Sequence, residues 1–402
     1  MIHISVTVVD SIMGSGKTSW VINEILNKNF ELNILYITPY LDEVQRVKDI
    51  SKRKIYEPQC MGTSKLENIS KLLSQQMDIA STHELFKRFD DNCKQALKDN
   101  KYTLILDKTL TAVTPYKFKN SDDFKYLIGK EEIRVNENGL IEWIGTDLDM
   151  RFNDVRTLSK NECLFIVDGK FYLWLFPHEI FNLFEDVYIL TYLFDGSLMK
   201  YYFDLYNIKY QLKSIQKIDN EYRLAEFFKP DKQNIRERIK VYNGDLNSNL
   251  GLYKDTSLSA TWCTQSYNSD KIEQLKNNLT NFVRHIISTS SNYTMWTTYK
   301  KTKSKLSNKG YARGFVPCNC RATNEFSDRT CLMYCCNWYE HPEIIKFFKQ
   351  YNIEVAQDKT ALSNLLQWIW RSNIRVPDSN KIIDIYIPSK RMRRLFLDWL
   401  NG

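Results

Sequence analysis

The chain has 402 residues, of which 43% are hydrophobic and 26% are charged, so it is not broadly disordered and can fill the cores of two or three domains. Lysine and arginine number 56 against 48 aspartates and glutamates, and the resulting charge of +8 is compatible with an anionic partner without requiring one. The sequence has no uncharged apolar run of about 18 residues, so we expect no membrane span. Its N-terminus has no basic leader, so we expect a cytoplasmic and not a secreted protein.

Strand-like apolar runs alternate with helical patterns in the first half of the chain, which is typical of crossover units in a parallel sheet. The predicted strands span residues 5–9, 33–38, 77–80, 103–106 and 187–191, and the predicted helices span 18–27 and 41–49. From about 114 to 176, charged turns and short aromatic runs interrupt this alternation. We predict that this segment is a β-rich insertion containing hairpins.

The alternation resumes in the second half. The predicted helices span residues 271–287, 342–351, 360–374 and 391–400, and the predicted strands span 293–298, 331–337 and 382–387. Residues 201–217 are either a last strand or a linker. We therefore predict an α/β fold with two domains, at residues 1–215 and 216–402.

The strongest motif is Asp10-Ser-Ile-Met-Gly-Ser-Gly-Lys-Thr18, which follows a predicted strand and opens a predicted helix, as a P-loop requires. The two glycines allow backbone N–H groups to converge on a phosphate. The lysine would bridge the β- and γ-phosphates, and the threonine hydroxyl would hold Mg²⁺. Ser11 replaces the usual first glycine. We predict that ATP is bound by Met13, Gly14, Ser15, Gly16, Lys17 and Thr18.

A P-loop also needs a carboxylate on a later strand to complete the magnesium shell. Asp107 ends the apolar run at 104–107, and we predict that it holds the metal together with Thr18. Asp168 ends a similar run at 164–168. Its place before Gly169, beside the irregular insertion, favours a turn residue instead.

The order of segments resembles that of superfamily 2 DNA helicases, in particular small phage-type replication helicases with a Met-Gly-x-Gly-Lys-Thr loop. Besides the loop and Asp107-Lys108, the resemblance depends on Thr38-Pro39-Tyr40, Ser81-Thr82-His83, Ile189-Leu-Thr-Tyr192, Met295-Trp-Thr-Thr298, Asn319-Cys-Arg-Ala-Thr-Asn324 and Gln367-Trp-Ile-Trp-Arg371-Ser-Asn-Ile-Arg375. It covers nearly the whole chain except the insertion. It implies two RecA-like P-loop domains with mainly parallel sheets that close on Mg·ATP.

The resemblance also implies a DNA partner, single-stranded or forked, and other replication proteins in the host cytoplasm. The segments that it matches to nucleic-acid contacts contain Thr38, Pro39, Tyr40, Thr82, Arg321 and Thr323.

Basic residues form two stripes that suit contacts with phosphates. Between Lys300 and Arg313 there are six basic residues and no acidic one, and we predict that Lys300 and Lys301 contact DNA. Between Arg371 and Arg394 there are seven basic residues and two acidic ones. A solvated loop is the alternative interpretation of the first stripe.

The last matched segment has a physical rationale of its own. Gln367, Arg371 and Arg375 are spaced four residues apart and would share one face of a continuous helix. Arginine suits the charge that develops on a γ-phosphate, so we predict that these three side chains act in catalysis from across an interdomain cleft. The family places its last arginine one residue earlier, which makes Arg371 the better finger. A solvated basic face is the alternative.

Lys108 departs most from the family, which has a glutamate there to orient and deprotonate the attacking water. A protonated ammonium cannot do this, and the neighbouring Asp107 favours the protonated form. Two hypotheses remain. The first is an ATP-dependent DNA helicase or translocase with impaired hydrolysis, and the second is a nucleotide-switched DNA-binding replication accessory protein without significant turnover.

Two further patterns in the second half are assigned structural roles. Leu258-Ser-Ala-Thr-Trp262 matches the family's coupling motif better than 189–192 does, but its position after the domain boundary favours the start of a strand. Five of the nine cysteines lie between Cys318 and Cys336, and their spacing lacks the paired C-x-x-C of structural zinc sites. We expect reduced, buried thiols and no zinc.

Overall fold

The computed structural model describes residues 5–60, 62, 64–146, 150–252, 254–318, 325–376 and 379–402. These residues form two compact units. The first contains 5–11, 15–228 and 340–355, and the second contains 12–14, 229–339 and 356–402, within the described ranges. A stretch from the C-terminal half therefore belongs to the first unit, and three residues of the glycine-rich loop group with the second.

The strands are short and follow the apolar runs of the sequence. In chain order they are β1 (Ser5–Asp10), β2 (Asn33–Thr38), β3 (Ile79–Thr82), β4 (Tyr102–Asp107), β5 (Val113–Tyr116), β6 (Ile133–Val135), β7 (Ile141–Trp143), β8 (Leu164–Val167), β9 (Phe171–Leu175), β10 (Asp186–Thr191), β11 (Gln211–Ile218), β12 (Glu221–Glu226), β13 (Ile239–Val241), β14 (Thr294–Thr297), β15 (Cys331–Tyr334) and β16 (Ile383–Tyr386).

The α-helices are α1 (Lys17–Trp20), α2 (Leu41–Ile50), α3 (Lys65–Ser74), α4 (His83–Phe86), α5 (Asp91–Asp99), α6 (Asp123–Gly129), α7 (Asn153–Lys160), α8 (Leu198–Leu205), α9 (Gln233–Arg238), α10 (Asp245–Ser248), α11 (Ala260–Thr264), α12 (Ser269–Asn281), α13 (Lys303–Leu306), α14 (Pro342–Gln350), α15 (Gln357–Ile369) and α16 (Lys390–Asn401). π-Helical turns extend α1 through Val21–Leu26 and α12 through Phe282–Ile286. Short 3₁₀ turns are Met150–Phe152, His178–Leu183, Phe194–Gly196, Ser266–Asn268, Ser291–Tyr293, Lys300–Thr302, Ala312–Gly314 and Asn373–Arg375.

The first unit is built around a seven-stranded sheet in the order β12-β11-β1-β10-β4-β2-β3. The pairings from β11 to β3 are all parallel, and β12 is antiparallel to β11 at one end. β1, β2 and β4 are buried along most of their length, as continuous apolar strands of a parallel sheet should be. Because parallel strands end at the same edge, that edge carries Asp10, Thr38, Thr82, Asp107 and Thr191.

The insertion is β-rich, as predicted. An antiparallel sheet with the order β5-β9-β8 and the hairpin β6–β7 make up its strands, and α6 and α7 accompany them. Asp168 lies in the turn between β8 and β9 with a φ of 51°, so its interpretation as a turn residue is confirmed. Helix α14 packs on this sheet through an ion pair of Lys346 with Asp168 at 2.5 Å and an edge contact of Phe347 with Phe165.

The second unit is built around a parallel sheet in the order β13-β16-β15-β14. Trp296, Cys331, Cys335 and Tyr386 are fully buried in its core, where the cysteines act as small apolar side chains. Within the described residues of the whole chain, every helix is too short or too polar to cross a membrane.

The mixed α/β class with mostly parallel sheets is confirmed, and three local predictions are corrected. Residues 201–217 contain the end of α8 as well as β11. Residues 258–262 begin a helix and not a strand, because the Ser259 hydroxyl accepts a hydrogen bond from the Trp262 N–H and caps α11. The helix predicted over 360–374 ends at Ile369.

Candidate functional site

The glycine-rich loop begins at a tightly bonded strand end. The Asp10 carboxylate accepts hydrogen bonds from the backbone N–H groups of Leu193 (2.8 Å) and Phe194 (2.9 Å). The Ser11 N–H donates to the Thr191 carbonyl at 3.1 Å. The loop is therefore bonded to the end of β10 and to the two residues after Tyr192, next to the coupling motif that the resemblance places at 189–192.

The backbone of the loop requires its glycines. Gly14 and Gly16 have φ values of +82° and +90°, which side chains rarely adopt. A Cβ at Gly16 would also lie 2.1 Å from Cε1 of Tyr222 on β12, so the tyrosine ring packs directly on the loop. The Ser15 hydroxyl is buried and has no hydrogen-bond partner in the described part of the chain. Two left-handed glycines and an unbonded hydroxyl fit a loop that closes around an anion.

Lys17 is the cation of this loop. Its ammonium donates a hydrogen bond to the Ser11 carbonyl, which closes the loop on itself. Burial lowers the pKa of Lys17 to about 8, and the negative charges of Asp107 and Asp10 oppose that shift. A desolvated ammonium gains from a bound anion, so the donor set suits a phosphate chain.

Asp107 is placed at the end of β4, as predicted, and is held by a tyrosine. The buried Tyr36 hydroxyl donates to the Asp107 carboxylate at 2.7 Å. Burial, followed by the negative charge of Glu43, raises the pKa of Asp107, while Lys108, Tyr36 and Lys17 act against that rise. A half-buried, oriented carboxylate among cations fits a ligand for a divalent metal ion.

Lys108 occupies an unusual backbone position. Its φ is +84°, a conformation that costs a non-glycine residue about 1–2 kcal/mol. Its N–H donates to the Leu190 carbonyl at 3.0 Å, which ties the end of β4 to β10. Such strain persists only where surrounding contacts enforce it, and it is common at functional sites.

Two residues of this site were not found from the sequence. Tyr36 lies within an apolar strand, where a tyrosine is ordinary core. Glu43 lies in the first turn of α2, where an acidic residue is expected from the helix dipole alone. The Arg46 guanidinium donates to the Glu43 carboxylate at 2.9 Å and holds it in one orientation.

The residues matched to DNA contacts in the first unit lie at the same edge of the sheet as Asp107. Thr38 ends β2 and is buried, and Pro39 and Tyr40 are half-buried. Thr82 ends β3, and its hydroxyl accepts a hydrogen bond from the Leu85 N–H, capping α4. Their roles in DNA binding stay predictions. Arg321 and Thr323 lie outside the described residues.

The predicted common helical face of Gln367, Arg371 and Arg375 is wrong. Gln367 lies on α15, but that helix ends before Arg371, which is buried in the following turn. Arg375 is exposed on the 3₁₀ turn Asn373–Arg375. The Ser372 hydroxyl accepts from the Ile374 N–H at 3.4 Å and starts that new turn, which breaks the helix.

The two basic stripes differ in exposure. All six basic residues of the first, including Lys300 and Lys301, are exposed, and none of them pairs with an acidic side chain of the described chain. The second is not a continuous surface. Arg371 and Arg391 are buried, and Arg391 donates to Asp358 at 2.8 Å.

Comparison with solved structures gives a fold-level similarity. A structure named XPD_APO is similar over 99% of this chain and 95% of its own, with 11% identity and a TM-score of 0.51. The crystal structure of the DUF1998 helicase MrfA bound to DNA and AMPPNP aligns with 99% of this chain and 48% of its own, with 12% identity and a TM-score of 0.36. At such identities the likeness is one of fold alone, and the class it defines is a mixed α/β fold.

Two family models match within the chain. The YonV middle domain covers residues 115–174, and the YonV C-terminal Rossmann-like domain covers 233–400. The SPbeta prophage-derived uncharacterized protein YonV of Bacillus subtilis (strain 168) is 39% identical over 414 residues, covering 99% of both chains. The chain belongs to the YonV family.

Proposed function

We propose that the protein is an ATP-dependent DNA helicase or translocase of superfamily 2, with one RecA-like domain in each of the two compact units. The observation that carries the proposal is the edge of the parallel sheet in the first unit. There Lys17 lies in the loop after β1, and Asp107 ends β4. The strand between them, β10, accepts hydrogen bonds at its last two carbonyls from the N–H groups that follow β1 and β4.

The loop would bind the phosphates of ATP. The N–H groups of Gly14, Ser15 and Gly16 and the ammonium of Lys17 would contact the phosphate oxygens. Thr18 and Asp107 would hold Mg²⁺, whose charge would offset that of the phosphates. The unbonded Ser15 hydroxyl and the lowered pKa of Lys17 support this assignment.

DNA would be the partner that stimulates turnover. The exposed basic stripe at 300–313 supports contacts with a phosphate backbone, since its charges are uncompensated nearby. The prophage origin of the YonV relative supports a role in phage DNA replication or recombination, in the cytoplasm of the host. Two further points stay predictions: nucleotide contacts by Gln367 and Arg371, and other replication proteins as partners.

Lys17→Ala tests the nucleotide site. Isothermal titration of the intact protein with Mg·ATPγS should show binding that this variant loses, because the charge facing the phosphates is removed. Lys28→Ala, which removes an exposed lysine from the turn after this helical segment, should bind like the unchanged protein. Equal affinity of the Lys17→Ala variant would contradict the phosphate-binding role of the loop.

A second candidate function is a nucleotide-switched DNA-binding protein without significant turnover. Lys108, a cation in the place of the usual base, is the observation that favours it. The two functions differ in one measurement. A motor releases phosphate repeatedly in the presence of single-stranded DNA, whereas a switch changes its DNA affinity with bound nucleotide but releases none.

A further inference from the structure

Position 108 leaves the site without its usual carboxylate for the attacking water. We propose that Glu43, on the first turn of α2, holds that water in this protein and takes its proton. This inference rests on the proposed ATP hydrolysis and identifies the residue that would make it possible despite Lys108.

The fold places Glu43 at the correct edge of the sheet. β2 pairs in parallel with β4, with Ile37 opposite Leu106, so the two strands end side by side. Helix α2 begins at Leu41, three residues after the end of β2. The first turn of α2 therefore lies at the strand ends that carry Asp107 and the glycine-rich loop.

The charge of Glu43 acts on the metal-binding candidate. After burial, its negative charge is what most raises the pKa of Asp107, and it also raises the pKa of Tyr36, whose hydroxyl bonds to Asp107. The Arg46 guanidinium is paired with the carboxylate through Nε and Nη2, which fixes its orientation. Its side chain is still 22% exposed, so one water can reach it.

The carboxylates that end β1 and β4 already have tasks. Asp10 accepts two backbone N–H groups, and each of its oxygens is occupied by one of them. Asp107 accepts the Tyr36 hydroxyl and would ligate the metal. Both Glu43 oxygens are also bonded, but by the partly exposed side chain of Arg46, which can turn away from one oxygen as backbone N–H groups cannot.

The step is an ordinary hydrolysis. The oxygen of water forms a bond to the γ-phosphorus, and the bond from that phosphorus to the β,γ-bridging oxygen breaks. The electron pair of the broken bond leaves with ADP, and the proton of water passes to the Glu43 carboxylate. The positive charge of Lys108 would face the same phosphate, and it would not need to accept a proton.

The test compares Glu43→Gln with Asp42→Asn, which removes an exposed carboxylate from the same helical turn. Binding of ADP with beryllium fluoride, and of ADP with aluminium fluoride, is measured by calorimetry, together with phosphate release on single-stranded DNA. Aluminium fluoride complexes include the attacking water, so Glu43→Gln should bind them at least tenfold more weakly while binding the beryllium complex normally. Phosphate release should fall by about 10²–10⁴-fold, and Asp42→Asn should change neither quantity.

A second variant separates the failure of this inference from that of the proposed function. Glu43→Gln combined with Lys108→Glu should recover phosphate release, because a carboxylate returns at the usual position. Normal aluminium fluoride binding and turnover in Glu43→Gln would overturn the inference while the motor stands. An unchanged protein that binds no ATP would overturn the proposed function. Turnover seen only after Lys108→Glu would overturn the role of Glu43 alone.

Discussion

Alanine at Gly14 and alanine at Gly16 should have unequal costs, although both glycines have a positive φ. The left-handed backbone alone costs alanine about 1–2 kcal/mol at either position. A Cβ at Gly14 would meet nothing within 4 Å, whereas one at Gly16 would lie 2.1 Å from the Tyr222 ring. Overpacking of that kind adds about 1–3 kcal/mol, so we expect a total of about 2–5 kcal/mol at Gly16.

Hydrogen exchange of the β1 and α1 amides in the nucleotide-free protein measures these costs as local opening free energies. A double-mutant cycle isolates the contact with the tyrosine. Gly16→Ala should cost less in the background of Tyr222→Ala, with a coupling of about 1–3 kcal/mol, whereas Gly14→Ala should cost the same in both backgrounds. Equal costs at the two glycines, or no coupling with Tyr222, would refute the packing of β12 on the loop.

Three other outcomes follow from the site. Burial lowers the pKa of Lys17 to about 8, so the ammonium loses its proton above that pH. The affinity for ATPγS should then fall about tenfold per pH unit, and binding should take up a proton. An affinity that calorimetry finds constant from pH 7 to 9.5 would contradict this. Tyr36→Phe removes the hydroxyl that orients Asp107, so the Mg²⁺ concentration needed for ATPγS binding should rise by about 10–100-fold. An unchanged Mg²⁺ requirement would count against Asp107 as a metal ligand. Replacing Lys300 and Lys301 by glutamine should reduce the slope of log affinity against log salt by about 1.4 on single-stranded DNA, whereas two exposed lysines outside the stripe should leave it unchanged.

Much of the fold could be predicted because the first sheet is made of continuous apolar strands. Residues 33–38 were predicted as a strand and are one, and residues 103–106 and 187–191 fall within β4 and β10. The glycine-rich loop was predictable for the same local reason, since strand, glycines and helix are consecutive. The order of strands in the sheet was not, because it depends on pairings between distant segments.

The missed features depend on contacts that have no local signal. The bond from Tyr36 to Asp107 joins residues 71 positions apart, and Tyr222 reaches Gly16 through a hairpin at the edge of the sheet. The helical face assumed for Gln367 to Arg375 failed because Ser372 can cap a new turn, which competes with continuing the helix. Spacing alone cannot reveal such a competition.

The central claim is that the protein is an ATP-driven motor, which neither its family nor its fold decides. Phosphate release by the unchanged protein, measured with Mg·ATP in the presence and absence of single-stranded DNA, tests it most directly. We expect release that DNA stimulates and that Lys17→Ala abolishes. ATP binding without any release, with or without DNA, would contradict the motor and favour the nucleotide-switched DNA-binding protein.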